Sequence, residues 1–466
     1  MHEKPRIRGG PKDIYGSVDM TATMTMRAPS THPLPKKKVR PTMTKIMFFL
    51  AALIAASGAL AQAAPASLSA SVTAPPSATP AGTLKIGLIG PLTGPSSDFG
   101  LPMLNGVKLA IDEINSFGGY LGRPLELVIK DDQANPDLGL KLSQELVKEK
   151  VIATIGFCNT GVAMKSIEVF QANQVPLLVP CTTGTPVTTR FPPAQSYIFR
   201  NAPADAIQAP FMVEEIVARK LTKVAIFADN TGYGEAGLKD VQKALEKKNL
   251  KAVYVGRFDL GVQDVTEQLK EARNAGANVL FIYTIAPQNA VVANGRHALG
   301  WKVPQVGAWA LSFPLFIGGS KDAAEGSLMA LSFVAEPTNE RRATFLSNYA
   351  RKFNAASIPV PMAAAQAYDA TYLLAHAVLS LPGDKLDGQH IKQALEQPKR
   401  AYYGVVTTYD NSFRDDREAL SANMLVVGTV KNGKVTFAHP EDALRNNVVQ
   451  RKRIADADRS TKAGGS

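Results

Sequence analysis

The sequence predicts an α/β protein built from two doubly wound α/β lobes. From about residue 83 onward, short apolar runs alternate with amphipathic segments, as in parallel strands covered by helices on both sides. The alternation forms two similar series, which favours two lobes over one sheet of some nine strands. Each apolar run ends at turn residues, and ligands of open α/β sheets bind beyond the carboxyl ends of the strands. The strand ends are therefore the places to search for function.

The first series predicts four strands with helices between them. Its first helix is the clearest, because Leu104, Val107, Ile111 and Ile114 recur three or four residues apart and line one face. The predicted strands are the runs LKIGLIG (84–90), LELVIKD (125–131), IATIGFC (152–158) and PLLVPC (176–181).

A second series begins after the segment YIFRNAPAD at 197–205. Two long helical stretches then cover 339–381, and a β-rich end begins at Tyr402. The predicted strands of this series are KVAIFAD (223–229), KAVYVG (251–256), NVLFIYT (278–284), QVGAWA (305–310) and the extended SLMALSFVAEP (327–337).

The net charge of +12 on 466 residues raises the hypothesis of a nucleic-acid partner. Residues 1–45 carry a net +7 and the segment from Arg445 onward carries +4, which leaves about +1 for the middle of the chain. The basic excess therefore lies in the tails, and we predict no nucleic-acid binding. Residues 441–466 are predicted to be a basic disordered tail.

A secretory signal is predicted near the N-terminus. Lys45 precedes an uncharged apolar run that ends in small residues, with A-x-A cleavage sites at Ala61 and Ala63. The run is shorter than the roughly 20 residues that a membrane span requires. Neither cysteine follows it directly, so no lipid anchor is expected.

These features assign residues 1–64 to a signal and leader region and 65–82 to a flexible leader rich in alanine, serine and proline. Met43 is an alternative to Met1 as the true start. The mature protein is predicted to be periplasmic and free of any anchor.

The glycine-rich turn GPLTGPSSDFG (90–100) raises the hypothesis of a nucleotide site. Dinucleotide binding requires G-x-G-x-x-G and a P-loop requires Gly-Lys followed by Ser or Thr, and the turn has neither. The six histidines do not cluster, and the sequence has no H-E-x-x-H, C-x-x-C or G-x-S-x-G motif. We therefore expect no cofactor and no metal. A nucleotide-dependent enzyme is kept as the less favoured alternative.

Small hydroxyl side chains lie at the predicted strand ends. Thr160 in GFCNTG, and Thr182 and Thr183 in PCTTGTP, lie where helix N-termini present free N–H groups, and such places bind carboxylates. A single threonine is equally well explained as an N-cap, but three at neighbouring strand ends favour a ligand site. Tyr233 and Trp309 lie at strand ends of the second series and belong either to this site or to the core.

The chain resembles the leucine/isoleucine/valine-binding protein family, the solute receptors of ABC importers for branched-chain amino acids and amides. The similar stretches are the export signal, IGLIGPLTGPSSDFG, AIDEINSFGGYLGRPLELVIKDDQANP, TIGFCNTGVA and PLLVPCTTGTP. The likeness runs from about residue 83 to about 437. It implies a type I periplasmic binding protein-like fold, with a three-segment hinge crossing near 201–205, 331–336 and 402–404.

The resemblance also implies the domain boundaries and the function. Lobe 1 is predicted at 83–204 plus 334–402, and lobe 2 at 205–333 plus 403–440. The protein would be a monomeric receptor without enzymatic activity that closes on a small organic ligand and delivers it to an ABC permease and its ATPase. An exported ligand sensor without a permease would use the same cleft and stays open as an alternative.

The same resemblance implies which residues bind the ligand. Amino-acid binders carry a Glu or Asp on the turn after the last large-lobe strand, whereas this chain reads VGAWALSF there. Because a buried ammonium requires its own anion, we predict a carboxylate-bearing ligand that is not a strict zwitterion, with an aliphatic or aromatic body. An amino acid stays open as the alternative, with Asp205 as the only anion. The resemblance implies Phe99, Thr160, Thr182, Thr183, Asp205 and Tyr233 as ligand-binding residues. Asn159, beside Thr160, and Trp309, at a strand end of the second series, complete the predicted set.

Cys158 and Cys181 end two strands that the β-α order makes neighbours. Adjacent strands lie about 4.8 Å apart, which is within the reach of a disulfide, and the export compartment is oxidising. A disulfide and a pair of buried thiols are both compatible with the sequence.

Overall fold

The computed structural model of the chain describes residues 82–445 and 450–453. The predicted signal, both alternative starts and almost all of the flexible leader lie outside these residues and stay predictions. Within the described part of the chain, no helix combines the length and the apolar character that crossing a membrane requires.

Five parallel strands form the first sheet: β1 (Leu84–Gly90), β2 (Leu125–Asp131), β3 (Ala153–Gly156), β4 (Leu177–Val179) and β5 (Ile198–Arg200). Their order across the sheet is β2-β1-β3-β4-β5, with Leu84 opposite Leu125 and Ile86 opposite Ala153. The central strands are buried on both faces, which is why they read as continuous apolar runs. The short strand β5 was not predicted as a strand.

The second sheet begins with five parallel strands: β6 (Val224–Asp229), β7 (Tyr254–Phe258), β8 (Val279–Tyr283), β9 (Gln305–Gly307) and β10 (Leu328–Leu331). A separate hairpin follows, with strands β11 (Tyr402–Tyr403) and β12 (Thr408–Tyr409). The antiparallel strands β13 (Val426–Lys431) and β14 (Lys434–Phe437) then complete the second sheet in the order β14-β13-β10-β9-β8-β6-β7.

Helices cover both faces of each sheet. In chain order they are α1 (Ser97–Ser116), α2 (Pro136–Lys148), α3 (Thr160–Ala172), α4 (Pro186–Thr189), α5 (Asp205–Ala218), α6 (Gly232–Glu246), α7 (Thr266–Asn274), α8 (Ala286–Ala298), α9 (Pro314–Ser320), α10 (Glu340–Phe353), α11 (Pro361–Leu379), α12 (Gly388–Glu396) and α13 (Pro440–Arg445). Helices α1–α4 and α10–α12 pack with the first sheet and form the first lobe, and α5–α9 and α13 form the second lobe with the other sheet.

Helix α1 packs closely on α11 inside the first lobe. A Cβ atom on Gly106 would lie 2.2 Å from the carbonyl oxygen of Ala364, so only glycine fits at this crossing. The two helices therefore meet backbone to backbone, although they lie far apart in the sequence.

The two sheets confirm the prediction of two doubly wound lobes, with local corrections. Strand β7 begins at Tyr254 rather than 251, because Ala225–Asp229 of β6 pair with residues 254–258. Strand β9 ends at Gly307, and the predicted strand residues after it form a 3₁₀ helix over Trp309–Ser312.

Three chain segments cross between the lobes. The first joins β5 to α5, and the second joins β10 to α10, near the predicted 201–205 and 331–336. The third crossing lies later in the chain than the predicted 402–404. The backbone N–H of Arg200 in β5 donates to Arg417 O at 2.8 Å, and Arg200 O accepts from Ala419 N at 2.7 Å, so residues up to 419 are still bonded to the first sheet. Residues 403–419 thus stay with the first lobe, contrary to the predicted boundary at 402.

The predicted disordered tail needs a second correction. Residues 440–445 form α13, and Val427 N of β13 donates to Asp442 Oδ2 at 3.0 Å. Gln450 to Arg453 contact the region between β12 and β13. Polar partners elsewhere in the chain thus bind residues 440–445 and 450–453. The composition of the tail does not reveal these partners. The rest of the tail lies outside the described residues.

Candidate functional site

Each lobe has a topological switch point where its strand order reverses. In the first sheet the reversal lies between β1 and β3, and in the second between β6 and β8. Ligands of doubly wound sheets bind at the carboxyl ends of the strands at such points. The turn after β1 leads to Phe99, the turn after β3 to Thr160, the turn after β6 to Tyr233, and β8 ends at Tyr283.

Helix α3 begins at Thr160, directly after the N-cap residue Asn159. No side chain accepts a hydrogen bond from the first N–H groups of this helix, so its partial positive charge is available to an anion. The amide of Asn159 instead donates to Ser96 Oγ at 3.2 Å, which ties the start of α3 to the turn before α1. The side chain of Thr160 is buried against Gly184, where a Cβ would lie 2.3 Å from Thr160 Cγ2.

The N-termini of α3 and α6 touch across the boundary between the lobes. A Cβ on Gly232 would lie 3.3 Å from Cα of Gly161, so the two backbones are in contact. Thr185 of the first lobe also donates its hydroxyl to Asp240 of α6 at 2.5 Å. The lobes are therefore closed on one another at this point.

Asp205 lies at the first crossing, fully buried at the start of α5. Its backbone N–H donates to Thr183 O at 2.8 Å. Burial raises the pKa of the Asp205 carboxyl to about 7, against the lowering effect of the Tyr283 and Thr183 hydroxyls and of Arg200. The carboxyl is therefore easily protonated, and near neutral pH it is able either to donate or to accept a hydrogen bond.

Two tyrosines of the second lobe face this carboxyl. The rings of Tyr233 and Tyr283 have centroids 5.0 Å apart. Burial, followed by the charge of Asp205, raises the pKa of both phenols well above the usual value. Both hydroxyls thus stay protonated and are available as hydrogen-bond donors.

The apolar end of the site is a cluster of three rings. Phe99 of the first lobe lies 5.3 Å from Phe313 between centroids, and Trp309 meets Phe313 edge to face at 4.8 Å. Gln208 connects this end to the polar end, because its Oε1 accepts from Trp309 N at 3.1 Å and its Nε2 lies 3.3 Å from Asp205 Oδ1.

Arg200 holds in place the turn that carries Thr182 and Thr183, which we call the threonine turn. Its fully buried guanidinium donates to the carbonyl oxygens of Thr183 and Gly184 at 2.9 and 2.7 Å. Its remaining N–H groups bind Thr188 and Glu418. The arginine thereby fixes the turn without exposing its own charge.

Cys158 and Cys181 form a disulfide in the structure, with Cα atoms 4.6 Å apart. It joins the turns that follow β3 and β4, the same two turns that carry Thr160 and Thr182. The cross-link therefore fixes the first-lobe side of the site.

Seven of the eight residues predicted to bind the ligand are buried, and Asn159 is half-buried. Their role in ligand binding stays a prediction. The sequence reasoning missed Tyr283, Phe313, Gln208 and Arg200. Tyr283 is the last but one residue of the predicted strand NVLFIYT, so its place near a strand end was a usable signal, whereas nothing in the sequence marks the other three. Asp98, beside Phe99, is a further acid whose carboxylate oxygens make no hydrogen bond with any described residue and whose pKa burial raises to about 6.

No cluster of His, Cys, Asp or Glu among the described residues has the arrangement of a metal site. The described residues at the junction supply hydroxyls, two acids whose pKa burial raises, Asp205 and Asp98, and aromatic rings. They are suited to binding a small organic molecule by hydrogen bonds and ring contacts.

Two α/β lobes that close over a site at paired switch points define a two-lobed solute-binding protein. The family model described as periplasmic binding protein matches residues 83–434, and the chain belongs to this family. This confirms the resemblance to the leucine/isoleucine/valine-binding proteins, and the family is one of solute-binding proteins rather than enzymes. It implies a periplasmic or extracellular location.

Individual relatives agree with this assignment. The chain is 28% identical over 325 residues to the Leu/Ile/Val-binding protein homolog 3 of Brucella melitensis, covering 68% of this chain and 84% of that protein. A type 1 periplasmic binding protein from Bordetella pertussis superposes with a TM-score of 0.70 at 25% identity, over 76% of this chain and 99% of the other. A solute-binding protein of R. palustris in complex with benzoate shares the fold, with a TM-score of 0.66 at 19% identity over 76% and 95% of the two chains.

Proposed function

We propose that the chain is the periplasmic receptor of an ABC importer and captures a small carboxylate-bearing ligand between its lobes. The importer partnership is supported by family membership and by the relative named for leucine, isoleucine and valine binding. The ligand class is supported by the chemistry of the junction.

One observation carries the proposal. Asn159 Oδ1, Thr182 Oγ1 and Tyr233 OH are buried and make no hydrogen bond with any described residue. Asp205 Oδ2 and Tyr283 OH are buried too and approach one another without the geometry of a regular hydrogen bond. An unsatisfied buried polar atom costs about 1–3 kcal/mol. Other parts of the described chain also hold such atoms, and it is the origin of these five in the strand-end turns of both lobes and at the first crossing that favours a polar ligand group as their partner.

The first-lobe side of the junction favours a carboxylate head. The uncapped N-terminus of α3 and the hydroxyl of Thr160 lie together there, and both interact favourably with negative charge. The second-lobe side offers phenol hydroxyls and the rings of Trp309 and Phe313, which suit an apolar body.

The turn that carries Trp309 has no Glu or Asp to pair with a ligand ammonium. This favours a ligand other than a strict zwitterionic amino acid. Asp205 is the acid at the first crossing, and without a cation beside it burial raises its pKa to about 7. We therefore propose a carboxylic acid with an aliphatic or aromatic body as the preferred ligand.

A thermal-shift screen followed by calorimetry tests the ligand class. Leucine, valine and phenylalanine are compared with the deaminated acids that carry the same side chains. A ligand at a hundred times its Kd stabilises the protein by roughly 2.7 kcal/mol, which the screen detects. We expect the acids to bind more tightly; tight binding of the amino acids with none of the acids would refute the ligand class, and silence from both sets would refute the carboxylate proposal.

A variant pair tests the site. Thr160→Val removes the hydroxyl at the start of α3 and should weaken binding about tenfold, the effect of losing one hydrogen bond of about 1.4 kcal/mol. Thr154→Val is the matched control, because Thr154 is a buried threonine of β3 whose hydroxyl also makes no hydrogen bond with any described residue. Equal losses in both variants would place the effect in folding rather than in ligand contact.

A sensor that signals through a protein partner uses the same cleft and is the second candidate function. Complementation separates the two. A strain lacking this receptor should lose uptake of the identified ligand, whereas unchanged uptake with altered transcription would favour the sensor.

A further inference from the structure

We infer that the C-terminal segment Gln450–Arg453 acts as a strap across the third crossing and stabilises the closed arrangement of the lobes. The inference rests on the proposed function, since closure matters only for a cleft that takes a ligand. The test below is made without ligand, so it fails or succeeds independently of that function.

The chain before the strap belongs to the second lobe. His439 Nε2 lies 2.9 Å from Glu215 Oε1 of α5, and Ala438 N donates to Val427 O of β13 at 2.8 Å. Helix α13 then holds Val427 N through Asp442. Residues 438–445 are thus anchored on the second sheet.

The strap itself is anchored on the first lobe. Gln450 O accepts from Thr408 N at 3.1 Å and from Thr407 Oγ1 at 2.5 Å, next to β12. The neighbouring residues Val405 and Val406 donate their N–H groups to the buried Asp369 of α11, both at 2.8 Å. The region that receives the strap is therefore a fixed part of the first lobe.

Lys452 supplies the strongest anchor. Its side chain is only 9% exposed, and its ammonium donates to Ser412 O at 3.0 Å and Glu418 O at 2.7 Å and pairs with Asp416. Glu418 in turn binds Arg200, which fixes the threonine turn of the ligand site. The strap is thus joined to the site through the ion pair of Glu418 with the buried Arg200.

The strap also touches the third crossing directly. Asn423 Nδ2 donates to Arg451 O at 3.0 Å, and Arg453 N donates to Ser421 Oγ at 3.0 Å. Residues 421–423 lie between the last contact with the first sheet, at Ala419, and the start of β13. Opening of the lobes requires these residues to change their backbone angles, because hinges absorb the change in such short segments.

Residues 438–445 thus contact the second lobe, and the strap contacts the first lobe and the third crossing. The strap lies beyond residue 434, where the match to the family model ends. Because the strap bonds are formed in the closed arrangement, their removal should shift the population toward open forms.

Distances between spin labels measure this shift. Glu168→Cys on α3 and Lys239→Cys on α6 are exposed positions on facing helices of the two lobes, and the paired native cysteines do not take up label. The labels are placed in the full chain, in Lys452→Met, in a chain that ends at Arg445, and in a matched control that ends at Arg453.

We expect the full chain and the control to share one short distance. In Lys452→Met and in the chain ending at Arg445, the ratio of long to short distances should rise about threefold or more, because the charged hydrogen bonds of the ammonium are lost. The lysine variant decides the matter if the shortened chain fails to fold, as judged by circular dichroism. Identical distributions in the lysine variant and the full chain would overturn the inference, and so would an equal shift in the control ending at Arg453.

Discussion

Replacing Asp205 by asparagine is expected to stabilise the ligand-free protein at alkaline pH, although it alters the proposed ligand site. The carboxyl is fully buried, and burial raises its pKa from 3.8 to about 7. Above that pKa the folded chain must keep a negative charge away from water. Asparagine has nearly the same shape and no charge, so it avoids this cost.

The sign and the size follow from proton linkage. As pH rises from about 3.8 to about 7, the unfolded chain loses the proton first, so the free energy of unfolding falls and the full penalty is present above about pH 7. At about 1.4 kcal/mol per pKa unit, the rise in the pKa of Asp205 corresponds to on the order of 4 kcal/mol. Below the unfolded pKa both states bind the proton, and the difference between the two proteins vanishes.

Urea denaturation of wild type and Asp205→Asn at a series of pH values between about 4 and 8 measures this difference. The buried acids Asp98, Asp132 and Asp369 also have raised pKa values, but they are common to both proteins and cancel in the comparison. Asp264→Asn is the control, because Thr266 lowers the pKa of that exposed carboxyl and its removal gives no alkaline gain. Equal pH slopes for wild type and Asp205→Asn would refute the reasoning.

Three further predictions concern other parts of the molecule. Phe313→Ala is expected to cost about 3–5 kcal/mol of stability and to move the ligand preference toward longer apolar bodies; calorimetry with an unchanged preference would contradict the role of this ring in specificity. Cys158 and Cys181 should resist thiol labelling under denaturing, non-reducing conditions, and two labelled thiols would exclude the disulfide. Mass spectrometry of the periplasmic protein should find a mature N-terminus just after Ala61 or Ala63, and an intact chain in the cytosol would rule out export.

The sheets were predictable because their strands are buried on both faces. A run such as LKIGLIG needs no alternation when helices cover both sides, so its apolar character marks it directly. The position of the threonines at strand ends was predictable for a related reason, since parallel strands bring their carboxyl ends to one edge of the sheet, whereas their role in ligand binding stays a prediction. The weakest strand, β5, is only three residues long and gave no such signal.

The third crossing and the strap could not be predicted from local patterns. Residues 403–419 stay with the first lobe because the buried carboxyl of Asp369 and the backbone of Arg200, both from distant parts of the chain, hold their backbone. Lys452 is a charged residue in a stretch whose composition is typical of a solvated tail. Partners more than 30 residues away in the sequence nevertheless cover its side chain. Phe313 likewise belongs to the site only through rings of both lobes.

The close packing of α1 on α11 has a consequence for the time course of folding. The first lobe cannot finish its core when its sheet has been synthesised, because the partner of Gly106 is Ala364, close to the end of the lobe sequence. Contacts of such long sequence separation form slowly, since the loop must close before they contribute. A nascent chain therefore cannot complete the core of its first lobe until Ala364 has been made.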